Sequence, residues 1–247
     1  MTSTENHYAT HLAPVYVWMS GGVDAAVARG ESEIAAWLPD LPGGIMAVDL
    51  GAGFGTHAIP LARRGCAVVA IDSSALLLEE LRRHAGGLPV RAVHDDLLWF
   101  QRHAPSPVGL IMIMGDTLTH LPGRSDVLTL IARAAESLRP NGRFIATFRD
   151  YTSPLAGEKR FIPVKSDQNR ILTCFLEYGD GHVEVSDLLH ERQGSSWTLH
   201  VSAYRKLRLA PAWVAAALRE SGFTVECDTG PSGMVRVTAT RIVGGAI

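Results

Sequence analysis

Apolar positions in the first forty residues recur at helical spacing. VDAAVARGESEIAAWL (Val23 to Leu38) is the clearest case, and Pro39 with the LPGG turn closes it. Beyond it the pattern changes to short apolar runs with little polar alternation: IMAVDL (45–50), CAVVAID (66–72), LPVRAVHDDL (88–97), GLIMIMGD (109–116) and RFIATFRD (143–150). Such runs read as strands buried on both faces. Between them lie THAIPLARRG with Gly65 at its end, SSALLLEELRRHAGG with Ser73 or Ser74 as N-cap, and DVLTLIARAAESLRPNG stopped by Pro140 and Gly142. Strands alternating with helices at this spacing demand parallel strands joined by crossover helices. The expected fold is therefore a three-layer, doubly wound α/β sandwich through about residue 150. In such sheets ligands bind beyond the carboxyl ends of the strands, near the topological switch point.

After Phe161 the pattern becomes strand after strand: RILTCFLEY, HVEVSDLLHE and SWTLHVSAYRKLRL, with GDG (179–181) as a hairpin turn. A helix, APAWVAAALRESG, then leads to FTVECD and MVRVTATRI, read as a closing pair of strands. The predicted organisation is a single domain, residues 1–247. It has a helical N-terminal cap (1–40), an α/β core (41–151), an inserted antiparallel sheet (about 155–209) and a closing helix and strands (210–247). The whole sheet is expected to be seven-stranded and mostly parallel. The insertion would cover the active site or form a homodimer contact.

Composition narrows the function. With 25 acidic and 23 basic residues, a net charge of -2 and no run of either sign, nothing suggests a nucleic-acid surface. MTSTENHYATHLAP has no basic start followed by an apolar stretch, and no apolar run reaches the roughly 20 residues that cross a bilayer. Cys66, Cys174 and Cys227 form no CxxC element, so a reduced, cytoplasmic protein without membrane contact is expected. His7 and His11 have i, i+4 spacing but no evident third ligand, so no metal is expected.

VDLGAGFG (48–55) carries the most chemical information. A dinucleotide fingerprint needs a glycine where Thr56 stands, and a Walker loop needs a lysine that is missing. Three glycines in a tight turn could be purely structural, but here Asp49 precedes them and Asp72 ends the next strand. This D-x-G-x-G-x-G pattern with its following acidic residue resembles class I S-adenosylmethionine-dependent methyltransferases, a Rossmann-like methyltransferase fold. The ligand suits the residues. Backbone N–H groups of Gly51, Ala52, Gly53 and Gly55, with the helix that follows, can hold the cofactor's carboxylate. Asp49 can face its ammonium, and Asp72, with Ser73 beside it, can accept from the ribose hydroxyls. The resemblance places Asp95 or Asp96, the latter preferred, at the adenine amino group with Leu97 near the ring. Met114 and Gly115 would lie beneath the cofactor.

GDTLTHLP followed by ESLRPNGRFIATFRDY is similar to the glycine and sarcosine N-methyltransferase branch, with Asp116 and Asp150 where that branch has asparagine. The resemblance implies that Arg149 anchors a carboxylate on the small-molecule methyl acceptor, with Tyr151 beside it. YATHLAPVYVWM is similar to a tyrosine-bearing lead segment that closes over the cofactor, making Tyr8 and Tyr16 candidates. Methyl transfer from a sulfonium is an in-line displacement that needs chiefly alignment and water exclusion. Where the nitrogen or oxygen acceptor must lose a proton, His120 is the candidate base, and Asp116 is the alternative base or counter-charge. In the insertion Tyr204 and Arg205 are expected near the acceptor. The competing readings are a nicotinamide-dependent oxidoreductase, disfavoured by Thr56, and a non-catalytic module that kept the fold.

Overall fold

The structure, a computed structural model, describes residues 11–104 and 107–242. The segment holding His7 and Tyr8 lies outside them. Two helices, α1 (Ala13–Met19) and α2 (Val23–Trp37), precede the first strand. The core then runs β1 (Met46–Leu50), α3 (Ala58–Arg63), β2 (Ala67–Asp72), α4 (Ala75–Ala85), β3 (Val90–His94), β4 (Val108–Ile113), α5 (Arg124–Ser137) and β5 (Leu138–Phe148). Four further strands, β6 (Phe161–Ser166), β7 (Arg170–Tyr178), β8 (His182–Gln193) and β9 (Ser196–Leu207), come before α6 (Pro211–Glu220), β10 (Phe223–Thr229) and β11 (Val235–Arg241).

The main sheet has seven strands in the order β10-β11-β5-β4-β1-β2-β3. Strands β1 to β5 are parallel, and β11 runs antiparallel to both β5 and β10. This is the predicted sheet, with its closing pair of strands. Every residue of β4 is buried, as expected for a strand covered by helices on both faces. Side-chain alternation divides the apolar core in two. Val48, Leu50, Ile71, Ile111 and Phe144 pack with α5 and α6 through Leu130, Ile131, Val214 and Leu218. Ala47, Val68, Ala70, Met112 and Ile145 pack with α2, α3 and α4 through Ile34, Leu61, Leu78 and Leu81. Asp49 follows Ala47 by two residues and so falls on the α2–α3–α4 face.

Local signals set the ends of the elements. The Ser74 hydroxyl accepts from Leu77 N–H at 3.3 Å and caps α4, which settles the choice between Ser73 and Ser74. Arg82, Arg83 and His84 occupy the last turn of α4, where the helix dipole favours cations. Pro211 opens α6. One boundary differs from expectation. Helix α5 ends at Ser137, and β5 starts at Leu138 instead of Arg143. Leu138 pairs with Val108, and the register then slips before Arg143 pairs with Leu110. Asn141, at φ +62°, lies in the slipped stretch, so Pro140 and Gly142 sit in an irregularity of the strand and not in a loop.

The second sheet is an antiparallel meander, β6-β7-β8-β9. Residues of β8 alternate between buried and partly exposed. Leu172 and Leu189 of this sheet pack against Leu12 and Val15 of α1. Leu176, Val183, Val185 and Tyr204 pack with Tyr151, which follows β5. One face of the meander therefore closes over the carboxyl end of the main sheet.

Helix α2 meets the glycine turn more closely than any side chain permits. A Cβ on Gly30 would stand 1.9 Å from the carbonyl oxygen of Thr56. Thr56 is where a dinucleotide fingerprint would have its helix-packing glycine, and here the helix supplies the glycine instead. Exposed helix interiors gain about 1 kcal/mol from Gly→Ala, but the clash with backbone here should dominate. We expect Gly30→Ala to destabilise the fold by about 2 kcal/mol or more in urea unfolding; an unchanged or raised midpoint would reject the close contact.

Candidate functional site

The sheet order places β1 beside β4, with their following connections on opposite faces, so a crevice opens at their carboxyl ends. The loop after β1 has Gly51, Gly53 and Gly55 at φ +72°, +53° and +96°, a region that glycine enters freely. The three serve different ends. A Cβ on Gly51 would lie 2.4 Å from Thr117 Cγ2, and one on Gly55 would lie 2.4 Å from Leu81 Cδ1. These two glycines let the loop pack against the β4 loop and α4. A Cβ on Gly53 would meet only Leu77 at 3.9 Å and the Tyr16 ring at 4.0 Å. The middle glycine therefore keeps space open beside Tyr16, whose ring also meets Phe54 edge-on at 5.9 Å.

Two aspartates frame this loop. Asp72 Oδ2 accepts from Gly53 N–H at 2.7 Å and Oδ1 accepts from Ser74 N–H at 2.8 Å, tying the loop to the start of α4. Burial raises its pKa despite these bonds. Ser73 N–H bonds it as well, so three N–H groups leave about one of its four lone-pair positions for a hydroxyl donor. Ser73 accepts from the His94 ring through its carbonyl. Asp49 is 1 % exposed and accepts from Ala58 N–H, yet its Oδ2 has no hydrogen-bond partner among the described residues. Burial first, and then the Asp72 charge, push its pKa up to about 6, against the pull of His57 and Ala58 N–H. His57 is itself held by Glu33 of α2 at 2.7 Å.

At the end of β3 the two acidic residues have separate jobs. Asp95 Oδ2 lies 2.6 Å from His103 Nε2, and this contact holds its carboxyl below the usual range. Asp96 Oδ1 accepts from Leu98 N–H at 2.8 Å and caps the 3-10 turn Leu97–Arg102. Asp96 thus keeps the freer carboxylate of the pair, and Leu97 packs against the main core.

After β4, Met114 is buried. Gly115 follows at φ +66°, and a Cβ placed on it would meet nothing within 4 Å. Asp116 comes next, in the left-handed region at φ +77°, and is 3 % exposed. Its Oδ1 accepts from Arg149 N–H at 2.9 Å and lies 3.1 Å from the Thr119 hydroxyl. Its Oδ2 accepts from the Tyr151 hydroxyl at 2.8 Å and from Lys206 Nζ at 2.5 Å. Burial alone would raise the Asp116 pKa, but Lys206, Arg149 N–H and His120 outweigh it and hold the carboxyl below its ordinary value. Burial and the Asp116 charge in turn push the Tyr151 phenol up, so Tyr151 stays a proton donor to Asp116.

The predicted acceptor residues gather here. The His120 ring stacks on Tyr204 at 5.3 Å with 20° between the planes. Tyr204 is buried with Tyr151. Arg149 is exposed, and its guanidinium makes no hydrogen bond or ion pair with a described residue. Arg205, expected beside Tyr204, alternates to the other face of β9, 3.9 Å from Glu184. Sequence reasoning missed Lys206. Its signal was the period-two register of β9, which puts residue 206 on the same face as Tyr204. Lys206 Nζ lies 5.6 Å from the Tyr204 ring and 5.9 Å from the Tyr151 ring. Among the described residues no cluster of three or more His, Cys, Asp or Glu could hold a metal, and no helix is long and apolar enough to cross a membrane.

Known proteins agree with this arrangement. Residues 47–142 match a family model described as "Methyltransferase domain". A glycine/sarcosine N-methyltransferase of Halorhodospira halochloris is 30 % identical over 128 residues, covering 50 % of this chain and 47 % of that protein. The match thus spans about half the length of that relative. Among solved structures, the CcbJ methyltransferase of Streptomyces caelestis has a TM-score of 0.78 at 20 % identity, covering 97 % of this chain and 99 % of its own. CalS10, an amino pentose methyltransferase of Micromonospora echinaspora, has 0.69 at 16 %, covering 92 % and 95 %. An S-adenosylmethionine-dependent methyltransferase of Clostridium acetobutylicum has 0.73 at 14 %, covering 96 % and 100 %.

The buried Asp49 predicts a pH signature. Its folded pKa of about 6 lies above the ordinary aspartate value, so the native state binds more protons between these values. Its effect favours folding below pH of about 4 and is lost as pH rises through about 6. The stability of the protein minus that of Asp49→Asn should therefore fall across this window, by about 3 kcal/mol. Urea unfolding at stepped pH checks it, and a flat difference would show that Asp49 is not held protonated by burial. A carboxylate lacking a donor, beside a loop with space at Gly53 and Gly115, fits the ammonium and amino-acid end of the expected cofactor. The sheet order and the solved structures give this chain the fold of S-adenosylmethionine-dependent methyltransferases, and its residues 47–142 match the methyltransferase-domain model.

Proposed function

We propose that the protein transfers a methyl group from S-adenosylmethionine to a nitrogen or oxygen atom of a small molecule bearing a carboxylate. The observation that carries this reading is a pair of unmatched charges at the carboxyl ends of the strands. Asp49 Oδ2 lacks a donor at the end of β1, and the Arg149 guanidinium lacks an acceptor just beyond β5. When bound, the cofactor supplies a methyl carbon already activated on a sulfonium. The chain's residues then have to position the two reactants and exclude water.

On the donor side, Asp49 takes the ammonium, and Asp72 takes a ribose hydroxyl through its remaining lone pair. Asp96 and Leu97 take the adenine, and Tyr16 closes beside Gly53. On the acceptor side, Arg149 clamps the carboxylate, a geometry to which a guanidinium is well matched. Tyr151 and Tyr204 wall the site, and His120, stacked on Tyr204, takes a proton where the acceptor must lose one. Asp116 is already ionised and hydrogen-bonded on both oxygens, which favours His120 over Asp116 as the base. The names of two relatives, a glycine/sarcosine N-methyltransferase and an amino pentose methyltransferase, support a small amine as acceptor.

Isothermal titration with S-adenosylhomocysteine should show micromolar binding that Asp72→Ala abolishes; failure of the unaltered protein to bind would overturn the reading. For a carboxylate-bearing acceptor, Arg149→Ala should raise KM at least tenfold, with cofactor affinity changed less than about twofold. An unchanged KM would remove Arg149 from the acceptor site.

A further inference from the structure

We propose that the Asp116–Lys206 pair is a charge filter on the methyl acceptor. It admits acceptors that are anionic with an uncharged nucleophile, and it rejects those that arrive as cations. The proposal rests on the methyltransferase reading above and assigns Lys206 as its specificity-determining residue. Asp116 is the buried carboxylate at the switch point, where an acceptor's ammonium would otherwise settle. That position is filled from within the chain, by an ammonium carried on the inserted sheet.

The geometry shows how complete the filling is. A carboxylate has about four lone-pair positions, and Asp116 has Arg149 N–H, Tyr151 O–H and Lys206 N–H at 2.9, 2.8 and 2.5 Å, while the Thr119 hydroxyl, 3.1 Å away, donates to the Asp116 carbonyl at 2.7 Å. The Lys206 side chain is 11 % exposed. The Tyr151 and Tyr204 rings, which could bind a cation by their faces, already lie near the Lys206 ammonium. An entering cation would have to displace Lys206 and leave a buried ammonium without its partner, a costly arrangement. Asp187, the other buried carboxylate on this face of the sheet, accepts the Cys174 thiol at 3.0 Å. The charges of Asp116 and Lys206 cancel, Asp187 is occupied by Cys174, and Arg149 is the exposed cation left to meet an acceptor's anion. An amine acceptor would then enter neutral at nitrogen, which is the form able to attack.

The test uses the full chain saturated with S-adenosylhomocysteine and two probes of equal size, propionate and propylammonium, with affinities from NMR titration. Propionate should bind at least tenfold more tightly than propylammonium, and Arg149→Ala should weaken it about tenfold. Lys206→Met should raise propylammonium affinity at least tenfold. The double variant D116N/K206M, which also removes the buried anion, should show no such gain. If Lys206→Met does not fold, Lys206→Gln keeps a hydrogen bond to Asp116 and should still raise propylammonium affinity severalfold. Equal probe affinities, no propionate binding, or an unchanged propylammonium affinity in the folded lysine variant overturns the filter. S-adenosylhomocysteine calorimetry on the same samples reads the donor site separately. Its failure counts against the methyltransferase reading, whereas intact binding with unselective probes sinks only the filter.

Discussion

The junction between the main sheet and the inserted sheet is organised around one buried carboxylate. Asp116 sits where β4 ends, in a left-handed backbone conformation that turns its carboxylate under the start of the next segment. From there it binds a main-chain N–H just after β5, a phenol beyond it, and an ammonium from the inserted sheet. A single anion thus joins three segments far apart in sequence. A buried charge of this kind is tolerable only when every partner is in place. Taking away Lys206 alone would leave a buried anion beside Tyr151 with no counter-charge bonded to it. Arg208, two residues after Lys206, reinforces the joint by donating to the carbonyls of Tyr151, Thr152 and Gly179. The inserted sheet is therefore fastened to the core by directional polar bonds as well as by apolar packing.

The glycine loop follows a different logic. There the chain holds polar groups ready instead of satisfying them internally. Asp49 has an oxygen with no donor, burial keeps its proton affinity high, and the glycines leave the loop backbone accessible. The cost of burying that carboxylate is offset only when a cation arrives. The two regions meet where Gly51 packs against Thr117, so the glycine loop touches the segment that follows β4.

Much of the fold was legible because its elements obey local rules. Buried parallel strands read as apolar runs, Ser74 caps its helix, and the GDG turn closes its hairpin. The misplaced start of β5 had a long-range cause, since the pairing of Leu138 with Val108 outweighs the turn signal of Pro140 and Gly142. At the site, the glycines and Asp49 and Asp72 were legible because they lie within 25 residues of one another and share one ligand logic. Arg205 and Lys206 were harder to separate. Only the register of β9 against β8 decides which of the two faces the core.

The kind of sheet, the order of its elements and the glycine turn after β1 could be read from the chain alone. These depend on periodicity, capping and glycine conformations that neighbouring residues fix. The tertiary structure alone decided how the charges are paired. Asp116 and Lys206 stand 90 residues apart, and no local pattern foretells that one lysine of an inserted strand reaches one aspartate at the switch point. Nor does local sequence show that Gly30 of a helix supplies the close contact that Thr56 of the loop cannot. Pairing of this kind is a property of how the two sheets are brought together, which no stretch of neighbouring residues encodes.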